Sequence, residues 1–314
     1  MAPAALSVRA RKAAGGTATA PRLLRAAALA LALPLTGCAW LDEKQHALAL
    51  RPTPGQPADF AGLRSGDERL LLPVEDSGRE QQLALWWLPN GDASAPTLLY
   101  LHGTFRNLYQ NLPKIEALRE AGFSIVAVDY RGWGDSTPIV PTEATIVADA
   151  WRAWQALTQR QPDPRRRVIF GHSMGGSVAV MLASQLRHGR DYGALALEST
   201  FTNLPDVAAA AGFWGRVGAM LTTLRFDAGA RIGAVDAPVW MLHGTADRTV
   251  PVEVGRKLRD AAPPGVHWVE VPGGSHSRLH SQAAEVYQRT FRELIAQLPA
   301  PGAEASAPAA AGRP

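Results

Sequence analysis

The apolar run Arg167-Val168-Ile169-Phe170 passes through Gly171-His172-Ser173-Met174-Gly175 into the helix-forming stretch Ser177-Val178-Ala179-Val180-Met181-Leu182-Ala183. A strand that turns into a helix through Gly-x-Ser-x-Gly is a sharp elbow, with glycines where a Cβ has no room and a serine at the apex. Ser173 is therefore the candidate nucleophile. The same turn starts a helix, so backbone N–H groups and the positive end of the helix dipole face the place where negative charge would develop.

A serine hydroxyl is a weak nucleophile at neutral pH and needs a base, which in turn needs an orienting acid. The apolar run Pro238-Val239-Trp240-Met241-Leu242 ends in a loop that carries Asp247, and the run His267-Trp268-Val269-Glu270-Val271 ends in Pro272-Gly273-Gly274-Ser275-His276. The order Ser173, Asp247, His276 is one of three chain orders known for this geometry, and each residue falls on a loop just past a strand. An oxyanion needs two backbone donors. Met174 follows the nucleophile, and Thr104 sits in His102-Gly103-Thr104 after the run Thr97-Leu98-Leu99-Tyr100-Leu101, so these two N–H groups are the expected donors. His280, four residues past His276, is the local rival as base.

Over roughly residues 65 to 297 the chain resembles serine hydrolases of the α/β-hydrolase superfamily, in the small-cap branch described as serine aminopeptidase-like or prolyl-oligopeptidase-like. The resemblance rests on the three loops above, on His102-Gly103 with Asn107, on Asp129-Tyr130-Arg131-Gly132-Trp133-Gly134-Asp135-Ser136 and on Glu198-Ser199-Thr200-Phe201-Thr202. It implies an α/β fold with a mostly parallel eight-stranded sheet, helices on both faces and a small cap. Relatives more often read His-Gly-Asn-x-Gly-Asn where this chain has His102-Gly103-Thr104-Phe105-Arg106-Asn107, a change that puts the Arg106 cation near the oxyanion site without touching the backbone donors.

Hydrophobic periodicity agrees. Strands are expected at 69–74, 82–88, 97–101, 123–129, 167–170, 194–197, 239–242 and 268–271, the first two as an antiparallel hairpin. Helices are expected at 108–120, 142–160, 176–187, 254–261 and 281–298. The segment 201–236 between the sixth and seventh strands is the expected cap. Its apolar residues, among them Phe213, Trp214, Met220 and Leu224, fit either an acyl pocket or a helix packed on the sheet. His102 and His243 end strands and read as structural histidines, and His172 is expected to point away from the nucleophile's side of the turn. Asp129 and Asp135 are expected to fix a Gly-rich turn, while Asp227 and Asp236 precede the seventh strand, at the wrong end for a triad acid.

The overall charge of +4 is unevenly placed. Residues 1–37 carry five of the 32 basic residues and no acidic one, leaving 27 basic against 28 acidic in the rest, so no basic surface for nucleic acid is indicated. The basic start leads into Ala26 to Leu35, an apolar stretch too short to span a bilayer and suited to a signal-peptide core. Leu35-Thr36-Gly37-Cys38 follows and resembles a bacterial lipoprotein box. It implies diacylglycerol attachment at Cys38, the single cysteine, and a lipid anchor in the cell envelope, with Ala39 rather than Asp after the cysteine pointing to the outer membrane. The expected organisation is a signal peptide at 1–37, a tether at 38–64, the hydrolase domain at 65–298 and a disordered tail at 299–314. No cofactor or metal is expected, since no Cys/His cluster has ligand spacing. The expected function is hydrolysis of carboxylic esters or thioesters of small molecules or lipids through an acyl-enzyme. Two alternatives stand: a peptidase on the same triad, disfavoured by a cap with no Glu, and a non-catalytic lipoprotein that binds a ligand or partner.

Overall fold

The computed structural model describes residues 40–76, 78–210, 212 and 222–302. Two units divide the chain, Met1–Lys44 and Gln45–Pro314. Of the first, only residues 40–44 are described, and they are helical. The second holds the whole sheet.

Eight strands form that sheet: β1 (Glu68–Asp76), β2 (Arg79–Leu88), β3 (Thr97–Leu101), β4 (Ser124–Asp129), β5 (Arg167–His172), β6 (Ala194–Glu198), β7 (Val239–Gly244) and β8 (His267–Val271). Their spatial order is β1-β2-β4-β3-β5-β6-β7-β8. β1 pairs antiparallel with β2 and β2 with β4, while β4, β3, β5, β6, β7 and β8 run parallel. All eight expected strands are present, with no end moved by more than three residues.

Parallel strands need crossover helices, which cover both faces of a sheet. Side chains alternate across each strand accordingly. Leu99, Leu101, Ile169, Val239 and Met241 enter one core, with the helices Glu143–Arg160 and Met174–Ala183. Leu98, Tyr100, Phe170, Trp240 and Leu242 enter the other, with the helices Leu108–Ala121 and Ala284–Gln297. Trp86 and Trp87 divide between the two layers in the same way. Capping boxes at Asn107 with Gln110 and at Thr142 with Thr145 start two of these helices.

Several expectations are corrected. The elbow helix begins at Met174 and stops at Ala183, earlier at both ends than 176–187. The expected helix 281–298 is two, Leu279–Gln282 and Ala284–Gln297, broken at Ala283 where the backbone leaves the helical region. Part of the expected tether belongs to the folded unit. Residues 45–50 are helical, Leu50 is 1% exposed within the core, and Phe60 and Leu63 pack on the second core. The Gly55 N–H donates to the Gly134 carbonyl and the Gly134 N–H to Thr53, stitching this segment to the turn after β4. A composition rich in Pro, Gly and Ala concealed three apolar residues that find slots in the domain. Cys38, the signal segment 1–37 and residues 303–314 of the expected tail lie outside the described residues. Among the described residues, no helix is long and apolar enough to cross a membrane.

Candidate active site

Ser173 sits between β5 and the helix Met174–Ala183 with φ 56° and ψ −122°, a strained conformation for a residue with a side chain. Neighbouring structure holds it there. Its N–H donates to the Glu198 carbonyl at the end of β6 (2.9 Å), and its own carbonyl accepts from Gly176 (2.9 Å). The glycines serve close approach rather than unusual dihedrals: a Cβ on Gly171 would overlap the Gly175 carbonyl, and one on Gly175 would overlap the carbonyls of Leu101 and His102.

The loops after β7 and β8 bring the other two candidates to this apex. His276 Nε2 lies 3.0 Å from Ser173 Oγ, and His276 Nδ1 lies 2.7 Å from Asp247 Oδ2. Asp247 is buried, and its other oxygen accepts from the N–H groups of Thr249 (2.9 Å) and Val250 (2.8 Å). Burial raises the pKa of this carboxyl, but the bond and charge of His276 and the Val250 N–H outweigh it and hold the group below the usual carboxylate value. His243 donates from Nε2 to the Val250 carbonyl (2.8 Å), bracing the same loop.

Thr104 and Met174 flank Ser173 at one cavity wall. Among the described residues, no loop or cap hydrogen bond uses either backbone N–H. The first amides of a helix have no intrahelical partner, so Met174 is free to donate into the cavity. The loop that carries Thr104 is fixed from several sides. Asn107 donates to the carbonyls of Thr53 (3.1 Å) and Gly55 (2.9 Å), and the Thr53 hydroxyl donates to the Phe105 carbonyl (2.9 Å). Asp129 accepts from the Leu108 N–H (2.9 Å) and lies 3.4 Å from His102 Nε2.

One expectation about the elbow is overturned. His172 does not turn away: its Nε2 donates to the main-chain carbonyl of His276 (2.9 Å), and the two rings lie 4.9 Å apart. Burial, reinforced by the charges of Lys114 and His276, pushes its pKa well below the ordinary histidine value, so it is neutral and acts as a fixed donor. The loop after β8 brings the His276 carbonyl to the end of β5, and periodicity along one strand does not show this. His280 makes no bond to Ser173 or Asp247; its ring packs beside Tyr287. Asp236 accepts from the His188 N–H (3.0 Å), tying two segments 48 residues apart, and Asp227 accepts from the Ala230 N–H (3.0 Å) as a local turn tie. Asp135 accepts from the Tyr109 hydroxyl.

Under the site lies a buried group that sequence reading missed. Lys114 pairs with Glu198, whose second oxygen accepts from the Tyr287 hydroxyl (3.0 Å). The signal was a charged residue closing the otherwise apolar strand Ala194-Leu195-Ala196-Leu197-Glu198.

Two cavity branches meet at Ser173. One, about 140 Å³, is apolar and lined by Leu50, Met174, Phe201, Leu204, Val207 and Phe226. The cap thus contributes to a pocket, although Phe213, Trp214 and Met220 lie outside the described residues. The other branch, about 190 Å³, is polar and lined by Arg106, Asn111, His172, His276 and Ser277. Two larger hollows, along Pro73 to Glu80 and along the last helix, are remote from Ser173 and hold no nucleophile with a base.

A mostly parallel eight-stranded sheet with helices on both faces and an elbow serine past β5 defines the α/β-hydrolase class. A family model described as serine aminopeptidase, S33, matches residues 93–229. An uncharacterized protein of Mycobacterium tuberculosis is similar at 31% identity over 236 residues, covering 74% of this chain and 81% of that protein. A lysophosphatidylserine lipase of Danio rerio is 34% identical over 194 residues, 57% of this chain and 50% of the lipase, so the chain spans about half the length of that relative. An esterase of Pyrococcus furiosus shares the fold with a TM-score of 0.61 at 19% identity, over 78% of this chain and 99% of that one. The chain has the fold of the α/β-hydrolase superfamily, and its residues 93–229 are similar to the serine aminopeptidase S33 family.

Proposed function

We propose that this protein cleaves carboxylic esters or thioesters through an acyl-enzyme formed on Ser173. The observation that carries the reading is the unbroken hydrogen-bonded series from Ser173 Oγ through His276 to Asp247 Oδ2. His276 Nε2 takes the hydroxyl proton as Oγ attacks the carbonyl carbon, and Asp247 stabilises the imidazolium that results. The N–H groups of Thr104 and Met174 hold the oxyanion. As the tetrahedral intermediate collapses, the bond to the alcohol or thiol breaks and His276 returns the proton to the leaving group. Water, deprotonated by the same imidazole, then releases the acid and restores Ser173.

The apolar branch supports an acyl rather than a peptidyl reading, since Leu50, Phe201, Leu204, Val207 and Phe226 offer no polar anchor for a peptide terminus. The test is a panel of p-nitrophenyl esters of graded chain length beside aminoacyl nitroanilides. Turnover of the esters with little of the anilides is the expected result. Preferential anilide cleavage makes the protein a peptidase, and inertness toward both makes it a binding protein.

A further inference from the structure

Arg106 is the change in the oxyanion loop that brings a charge into the site, and among the described residues no carboxylate answers that charge. Its side chain is exposed and makes no ion pair or side-chain hydrogen bond among the described residues. The polar branch that it lines contains no carboxylate among its described residues; its polar side chains besides Arg106 itself are Asn111, Thr104, Thr249, Ser277, Ser173 and the two histidines.

The chemistry assigns the two branches. A leaving alcohol must take its proton from His276 Nε2, so it departs on the side that His276 lines, and that is the polar branch. The acyl chain then occupies the apolar branch, which His276 does not line. Resting on the ester-hydrolase reading above, we propose that Arg106 selects esters whose alcohol carries an anionic oxyacid group, phosphate or carboxylate, opposite an apolar acyl chain. A guanidinium matches either group with a two-pronged hydrogen-bonded contact.

Such a contact is made before and during the reaction alike, so its loss appears mainly in KM. The test compares kcat/KM for four octanoyl esters: of glycerol, of glycerol phosphate, of glycolate and of choline. The wild-type enzyme is expected to favour one or both anionic esters over the glycerol ester. Arg106→Ala should lower that ratio about tenfold, the modest value suited to an exposed charge-assisted bond. Arg106→Lys should keep part of the ratio, and Arg106→Glu should turn the preference toward the choline ester. Added salt should shrink the wild-type ratio and leave the Arg106→Ala ratio unmoved. A shift for glycerol phosphate alone, or for glycolate alone, identifies the anion. Equal ratios in the wild type and all three variants, with the esters still cleaved, overturn the role of Arg106 and leave the ester reading standing. No cleavage of any ester, with Ser173 unreactive toward a fluorophosphonate, overturns the ester reading and this inference with it.

Discussion

At the residue scale the account turns on Asp247, whose two oxygens divide their work. One accepts from His276 Nδ1 and the other from two loop amides, so the carboxylate is fixed before it orients anything. An amide in its place fits the space but can hold the imidazole in the tautomer that leaves no acceptor for the serine proton. Asp247→Asn should lower kcat by about 10² to 10⁴-fold with little change in KM, measured on any ester the wild type turns over. Asp236→Asn and His280→Gln should stay within about tenfold of wild type, because neither group bonds to Ser173 or His276. A collapse in either control with near-normal Asp247→Asn would reassign the acid or the base. That Ser173, Asp247 and His276 meet was legible in the sequence because each lies on a turn or loop just past a strand. The contact of His172 with the His276 carbonyl was not, since it joins loops 104 residues apart in the chain. The Lys114–Glu198 pair was hidden for the same reason, with 84 residues between its members.

At the element scale the strands were easier to read than the helices. Short continuous apolar runs marked the parallel strands, because both faces of a parallel sheet are covered and every position along β3, β4, β6 and β7 is buried. Helix ends depend on local breaks that composition expresses weakly. Ala283, with φ −137° and ψ 51°, interrupts the final helix although alanine favours helices. The helical residues 45–50 were masked by a segment that reads as linker, and their place in the domain depends on the slot that receives Leu50. The elbow is the element where sequence and packing agree most closely. Its glycines let the helix Met174–Ala183 start against β3, with Gly175 touching the backbone at Leu101 and His102. Gly175→Ala should cost about 1–3 kcal/mol or more of stability, since backbone there cannot yield as a flexible side chain can. Gly233→Ala is the comparison: its new Cβ would meet nothing closer than the Ala261 carbonyl at 3.6 Å, so stability should hold or rise slightly. Urea unfolding midpoints decide this, and equal losses in the two variants would contradict the close-approach argument.

At the scale of the whole molecule, the fold lets a single junction serve two unlike branches. The sheet delivers Ser173, Asp247 and His276 from the ends of β5, β7 and β8, and the segments around them supply apolar walls on one side and Arg106 on the other. The basic leader and the Leu35-Thr36-Gly37-Cys38 box add a proposed lipid anchor that would hold this domain in the cell envelope, outer membrane included. Cys38→Ser should abolish incorporation of a clickable fatty acid, and equal labelling of wild type and variant would remove the anchor from the account. The central claim is that Ser173 is the nucleophile of a hydrolase built on His276 and Asp247. Intact-mass analysis after treatment with a fluorophosphonate tests it most directly. The account predicts one adduct, mapped to Ser173, that is absent from Ser173→Ala although the variant unfolds at the wild-type urea midpoint. An adduct that persists in Ser173→Ala, or ester turnover that survives the substitution, would contradict it.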